Sequence, residues 1–431
     1  MRIDNSPARG NRDLLPAKVA VRDHVLKSIT DVYRTFGYQR IETPAIENIE
    51  RLQGGQGGEN EKLIFEILRR GLPSEIDAGT RVRDLVDLGL RYDLTVPLTR
   101  FYGNNQASLP SPFRSLQIGP VWRAERPQKG RYRQFYQCDI DIIGEPSVLA
   151  EVELIEATSQ ALNAIGLDGI KVRLSDRRIL TALAAGAGVP ECAQDSFFIA
   201  LDKLDKIGWE GVTAEFQKIG LSDESVMGVV DNIGALGELA VEKLPTGLAD
   251  ALPGLQPDVI EDFSTTAECL NQVASERLLN WQFDPTLVRG MGYYTGQIFE
   301  MSHERMPGSV AGGGRYDRLI GRSLGRDVPA CGFSIGFERI VDLLESGGRR
   351  DAVALLADNE IPVPDILAAA RRLRSGGRAV DTVRGSGKFG AQLSRLEKAG
   401  FSSFIQLRME NGRVVLADER ALKSNAVPDP E

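Results

Sequence analysis

Phe113-Arg-Ser-Leu-Gln-Ile-Gly-Pro-Val-Trp-Arg-Ala-Glu-Arg-Pro-Gln-Lys-Gly-Arg-Tyr-Arg-Gln-Phe-Tyr-Gln-Cys-Asp-Ile-Asp-Ile-Ile-Gly144 is the stretch whose reading decides the fold. Apolar and polar residues alternate up to Trp122 and again from Phe135 to Ile143, and the middle is cationic, with Pro127 and Gly130. That pattern predicts a strand, a basic loop and a returning strand. Arg123, Arg126, Lys129, Arg131 and Arg133 lie within eleven positions, with Glu125 the one carboxylate among them. A solvated hairpin tip is the competing reading. The asymmetry favours a polyanion-binding loop, because five cations and one carboxylate fall together in a chain whose formal net charge is −8. Gln137, Asp139 and Asp141 follow at alternate positions, so they share one face of the second strand as the floor of a pocket.

Working outward, 431 residues exceed one ordinary core and imply two or three domains. With 42% hydrophobic and 26% charged residues, the chain has a globular makeup. No apolar run approaches the ~20 residues that span a bilayer, and Met1-Arg-Ile-Asp-Asn-Ser-Pro7 lacks the apolar centre of a signal peptide, so no membrane and a cytoplasmic location are expected. Cys138, Cys192, Cys269 and Cys331 are far apart without a CxxC pair, which indicates thiols and neither zinc nor disulfides. His24 and His303 are the only histidines, too few for a histidine-based triad or metal cluster.

Pro16 to Gly37 reads as a helix with Val25, Ile29, Val32 and Phe36 on one stripe. Pro44 disfavours a central strand in Tyr38–Glu47, so an edge strand or dimer contact is expected there. Gly54-Gly-Gln-Gly-Gly58 lacks both the phosphate-loop pattern and the dinucleotide fingerprint, and reads as a surface loop. Leu88–Arg100 runs from a strand into a helix start, where Asp93 and Thr95 suit either an ammonium group or capping. Val148–Gly166 is a second amphipathic helix, with Glu151, Glu153 and Glu156 expected mostly outside. From 175 to 279 helical patterns dominate, as an insertion.

Three glycine-rich segments then each carry an arginine: Leu287–Glu300 with Arg289 and Tyr293, Tyr294; Ser309–Asp317 with Arg315 and Tyr316; and Ala330–Ile340 with Arg339. Small residues permit close approach, and tyrosines offer planar, partly polar walls. Glu345–Arg350 reads as a linker. Beyond it strands at Ala352–Leu356, Arg378–Val383 and Phe404–Leu407 alternate with helices at Pro364–Ser375 and Phe389–Ala399, which predicts a partly parallel sheet. The tail Asn425–Glu431 is expected to lack order. Arginines, paired carboxylates and tyrosines without a histidine base suit a reaction needing charge stabilisation more than proton removal. Adenylation of a carboxylic acid by ATP is such a reaction.

Glu42-Thr-Pro44, Arg91-Tyr-Asp-Leu-Thr-Val-Pro97, Arg123-Ala-Glu-Arg-Pro-Gln-Lys-Gly-Arg-Tyr-Arg-Gln-Phe-Tyr-Gln137, Leu287-Val-Arg-Gly290, Ala311-Gly-Gly-Gly-Arg-Tyr-Asp317 and Gly332-Phe-Ser-Ile-Gly-Phe-Glu-Arg339 together resemble the histidyl-tRNA synthetases, a class II aminoacyl-tRNA synthetase family, in an archaeal or eukaryotic signature form. The resemblance covers nearly the whole chain. It implies an α+β fold with a mixed antiparallel sheet flanked by helices: catalytic parts at 1–174 and 280–346, the helical insertion at 175–279, and an anticodon-binding-like α/β domain at 351–431. It implies histidine, ATP with Mg2+ and histidine tRNA as substrates, no metal held by protein side chains, and a homodimer formed partly around Pro44.

Position by position, the resemblance makes Arg289 the catalytic arginine and Arg123 a second catalytic group on the α-phosphate. Arg123, Glu125, Arg131 and Arg339 would bind ATP. Asp93, Thr95, Gln137, Asp141, Arg289, Tyr293, Tyr294 and Tyr316 would surround histidine, and Arg126, Lys129, Arg131 and Arg133 would meet the acceptor end of tRNA. Two departures stand out. Gly292 occupies a position where the family usually has aspartate, and the stretch from Asn359 to Ala370 is shortened. A regulatory paralogue of ATP phosphoribosyltransferase that binds histidine, and a synthetase-like enzyme serving another acceptor, are the alternative readings.

Overall fold

The computed structural model describes residues 4–54, 63–72, 77, 79–126, 131–276, 279–289, 294–344 and 352–422. The chain divides into two compact units, residues 1–12 with 25–343 and residues 13–24 with 344–431. In the first unit the strands are β1 (Gln39–Arg40), β2 (Ile46–Asn48), β3 (Phe65–Leu68), β4 (Val86–Leu90), β5 (Phe113–Trp122), β6 (Gln134–Ile143), β7 (Lys171–Asp176), β8 (Asn280–Phe283), β9 (Gln297–His303), β10 (Met306–Arg315) and β11 (Ala330–Gly336). Eight form one sheet in the order β1-β5-β6-β11-β10-β9-β7-β8. Its centre is antiparallel and its two end pairs, β1 with β5 and β7 with β8, are parallel. A smaller sheet has the order β2-β4-β3.

The expected hairpin is β5 and β6, in register from Phe113 opposite Ile143 to Trp122 opposite Gln134. Period-two alternation gives β6 two faces. Cys138, Ile140 and Ile142 are fully buried on one, and the helix Leu149–Ala164 packs on this strand and on β11. Gln137, Asp139 and Asp141 take the other. Glycine 332 explains how β11 lies so close: a Cβ there would sit 2.1 Å from Asp141 Oδ1.

Two local expectations change. In the helix Pro16–Thr35 the fully buried stripe is Val25, Ile29 and Tyr33, with Val32 and Phe36 half-buried beside it. In the helix Leu149–Ala164, Glu151 points inward and is 1% exposed. Arg315 donates to both of its oxygens, at 2.6 and 2.7 Å, and this paired, fully bonded geometry is what makes a buried carboxylate tenable. The 177–275 region of this unit contains helices and short 3-10 turns and no strand among the described residues. Pro44 falls between β1 and β2, in neither strand, and β1 is an edge of the large sheet.

The second unit holds β12 (Ala352–Ala357), β13 (Ala379–Arg384), β14 (Ser403–Glu410), β15 (Arg413–Leu416) and β16 (Arg420–Ala421). Central β12 is parallel to both β13 and β14. Val353, Leu355 and Ala357 join one core cluster, and Ala354 and Leu356 join the other, so an uninterrupted apolar run marks a strand covered on both faces. The antiparallel additions β15 and β16 were not anticipated. The signal for β15 was Asn411-Gly412, both at positive φ (50° and 74°), the favoured pair for a tight hairpin. The linker at 345–350 and the tail at 425–431 lie outside the described residues.

Candidate active site

Arg91 organises the site's first wall. Its guanidinium donates to Thr43 O at 2.7 Å and to Pro120 O at 3.0 Å, binding the Pro44 segment to β5. A Cβ on Gly119 would lie 2.6 Å from this guanidinium, so the glycine makes the crossing possible. Trp122 N donates to Arg91 O at 3.0 Å, and Arg123 Nε to Tyr92 O at 3.0 Å. The start of the basic loop is thereby fixed beside Asp93. Asp93 Oδ1 accepts the Val96 N–H at 3.0 Å, so the capping role is realised, and Asp93 also lines the cavity with Thr95.

The cavity has a volume of about 480 Å3 and opens over the polar face of β6. One end is cationic: Arg123, Arg131, Arg289 and Arg339 all line it. Arg123 lies 5.0 Å over the Phe135 ring. Arg289 Nη2 donates to Ser309 Oγ at 3.3 Å, and its Nε lies 3.3 Å from Glu300 Oε2. Arg339 donates to Ser309 O. Burial, then repulsion from Arg131 and Arg289, lowers the proton affinity of Arg339. Such a crowd of cations is relieved by a polyanion.

The opposite end is anionic. Asp93, Asp139 and Asp141 are 7%, 4% and 3% exposed. Tyr316 donates its hydroxyl to Asp141 Oδ1 at 2.5 Å. Gln137 Nε2 donates to Ser334 Oγ at 3.0 Å. Gln137 Oε1, Asp139 Oδ1 and Asp141 Oδ2 are buried acceptors without a protein partner, so this end is built for a ligand that donates. Burial pushes the Asp141 carboxyl up to about 7, against the Tyr316 hydrogen bond, with Asp93 raising it further. Burial and then Asp141 push Asp139 up as well.

Glycines make room for the Arg289 guanidinium. Gly312 in β10 lies opposite Glu300 in β9, and a Cβ on it would sit 1.4 Å from Arg289 Nη1. A Cβ on Gly314 would meet Gln297 O at 2.6 Å and Tyr294 Cδ1 at 3.1 Å. Tyr294 and Tyr316 both line the cavity. From the N-terminal segment, Arg12 lies 3.7 Å over the Tyr132 ring and binds Glu338 Oε2 at 2.5 Å. Glu338 Oε1 in turn accepts the Tyr136 N–H at 3.2 Å.

Known proteins share this chain's sequence and fold. A family profile described as Histidyl-tRNA synthetase matches residues 10–340. The histidine–tRNA ligase of Leifsonia xyli subsp. xyli is 47% identical over 422 residues, covering 95% of this chain and 97% of that one. The chain belongs to the histidyl-tRNA synthetase family. The crystal structure of histidyl-tRNA synthetase from Nostoc sp. PCC 7120 aligns with a TM-score of 0.78 and 25% identity over 97% of both chains. An ATP phosphoribosyltransferase regulatory subunit/histidyl-tRNA synthetase from Bacillus halodurans shares the fold, with a TM-score of 0.75 and 23% identity over 92% of this chain and 97% of that one. The fold is the α+β class II synthetase arrangement.

Of the expected site residues, Asp93, Thr95, Arg123, Glu125, Arg131, Gln137, Asp141, Arg289, Tyr294, Tyr316 and Arg339 come together around the one cavity. Arg126 is exposed. Arg133 is turned to backbone, its Nε 3.1 Å from Glu125 O. Lys129, Tyr293 and Gly292 lie outside the described residues. Asp139 was placed on the pocket floor without a specific role, and Ser309, Ser334 and Glu300 were not assigned to the site. The alternation of β6 had exposed Asp139 to view, and the Gly-x-Ser-x-Gly spacing of β11 carried the same signal for Ser334. Ser309 and Glu300 had none, because their meaning depends on where Arg289 rests.

Proposed function

We infer that the chain is a histidine–tRNA ligase, which joins histidine to AMP and passes the histidyl group to the 3′ end of histidine tRNA. The single observation that carries this reading is the two-ended cavity. Four arginines face three buried carboxylates across one pocket, so a triphosphate and an aminoacyl ammonium are accommodated with their reacting groups between them.

Arg289 and Arg123 hold the histidine carboxylate and the α-phosphate together. The carboxylate oxygen attacks phosphorus, the bond to the bridging oxygen breaks, and diphosphate leaves. Both arginines face negative charge that grows on the phosphoryl oxygens, and this preorganised attraction lowers the barrier. Arg131 and Arg339 hold the rest of the triphosphate, with Glu125 beside Arg131 at 3.7 Å. Asp93, Thr95 and Gln137 take the α-ammonium, and Asp141, Tyr293, Tyr294 and Tyr316 the imidazole. In the second step the terminal ribose hydroxyl of tRNA attacks the histidyl carbonyl and AMP leaves, with Arg126, Lys129, Arg131 and Arg133 meeting the acceptor end.

ATP enters as its Mg2+ complex. The ion would be held mainly by phosphate oxygens, with Glu125, which lines the cavity, as a carboxylate that could reach it. Bound there, Mg2+ would neutralise phosphate charge. The working form is a homodimer joined partly around Pro44, a reading supported by the edge position of β1 and by Ile46, which is 48% exposed. No helix among the described residues is long and apolar enough to cross a membrane, and a cytoplasmic site of action fits the use of tRNA. The domain reading is 1–174 with 280–346 for catalysis, 175–279 as the insertion and 351–431 for the anticodon.

The test is exchange of labelled diphosphate into ATP, run with each amino acid, beside charging of histidine tRNA. Histidine-specific exchange with charging is expected. Histidine binding without exchange would refute the reading in favour of a regulatory protein.

A further inference from the structure

Asp139 is a buried acid for which the roles above leave no function. Its register neighbours are Gln117 in β5 and Ser334 in β11, and both are neutral. Its charged and titratable surroundings are Asp141 on its own strand, Asp93 at the helix start and Arg123 at the loop, and Arg91, Tyr33 and the adjacent Cys138 are also electrostatically coupled to it. The amino-acid end therefore holds three carboxylates against one lining arginine. Its donor geometry does not suit a metal ion, since no metal-holding cluster occurs among the described residues. The compensating charge must come from the substrate, and histidine has two positions for it, the α-ammonium and the ring.

Resting on the reading of this pocket as the histidine site, we propose that Asp139 is a specificity-determining residue that, together with Asp141, makes the pocket take histidine with its ring doubly protonated. Asp139 Oδ1 and Asp141 Oδ2, the acceptors left without partners, receive the charge-assisted N–H donors. Near neutral pH the proton comes from the carboxyl pair, which burial has already disposed to hold one. It moves to the ring as histidine enters, and the pair becomes fully ionised. At higher pH solvent supplies it. Once the pair has given up its proton, as at the higher pH, a neutral imidazole with its single N–H would leave one ionised carboxylate buried without a donor from the ring, which is the costly arrangement.

The experiment is nitrogen-15 NMR of ring-labelled histidine bound to the full chain at pH 8, where free histidine is neutral with a ring pKa of ~6.5. Wild-type protein is expected to show both ring nitrogens protonated, and Asp139→Asn a neutral ring. A neutral ring on the wild type, or a cationic one on the variant, overturns the proposal. A second readout uses diphosphate exchange with 1,2,4-triazolylalanine, whose ring has a similar shape but stays neutral. Wild type is expected to reject it by roughly 100-fold or more relative to histidine, and Asp139→Asn to reduce that preference by about tenfold. An unchanged preference in a variant of unaltered melting temperature would also overturn it. Histidine-dependent exchange by the wild type bears on the ligase reading alone, so the two can fail separately.

Discussion

Gly312→Ala separates the placing of Arg289 from the stability of the sheet. The added Cβ would lie 1.4 Å from Arg289 Nη1 and 2.5 Å from its Cζ. Ordinary contact begins at about 3.5 Å, so the guanidinium must withdraw by about 2 Å. It is the far end of a flexible side chain, and moving it should cost the fold less than ~1 kcal/mol. The chemistry should suffer far more. A misplaced charge-stabilising donor costs roughly 100- to 1000-fold in kcat, or about 3–4 kcal/mol of transition-state stabilisation. Gly313→Ala is the control. Its Cβ would meet Gly332 O at 2.1 Å and Phe333 Cα at 2.9 Å, which are backbone atoms of the neighbouring strand and cannot step aside. That variant should lose about 3 kcal/mol of stability. Diphosphate exchange at saturating histidine and ATP, paired with urea unfolding, reads both quantities. Near-wild-type kcat in Gly312→Ala, or instability equal to that of Gly313→Ala, would refute the argument that this glycine exists to seat Arg289.

Arg289→Ala should lower adenylate formation by at least about 100-fold with the fold retained, measured by exchange and by circular dichroism; unchanged exchange would remove its catalytic assignment. Arg131→Ala should weaken use of tRNA more than formation of the adenylate, and equal losses in charging and exchange would end that division. For Asp141 the sign follows from its carboxyl being raised from 3.8 to about 7 in the fold. The unfolded chain ionises first, so the empty protein loses stability as pH rises from 4 to 7, by at most about 4 kcal/mol for a three-unit shift. Asp141→Asn should therefore be more stable than wild type at pH 8 and show no such advantage at pH 4. Urea titrations at both pH values check this, and an equal difference at the two would contradict it.

The β5–β6 hairpin was legible because period-two alternation and a proline–glycine cationic loop are local properties of the chain. The same holds for the covered strand β12, whose apolar run needs no partner to be recognised, and for Asp93, whose capping bond spans three residues. Polar residues at alternate positions of β6 likewise had to share a face. Tertiary structure decided what sequence separation conceals. Glu151 looked like an outer-face residue until Arg315, 164 positions away, supplied its bidentate partner. Arg315, read from the sequence only as the arginine of a glycine-rich segment, is that partner. The sequence alone could thus determine which faces and charges each segment offers, since these follow from backbone period and residue chemistry. Which charge meets which, and which acceptors are left buried for a substrate, was settled only when distant segments packed, because ion pairing and burial depend on distance in space and not along the chain.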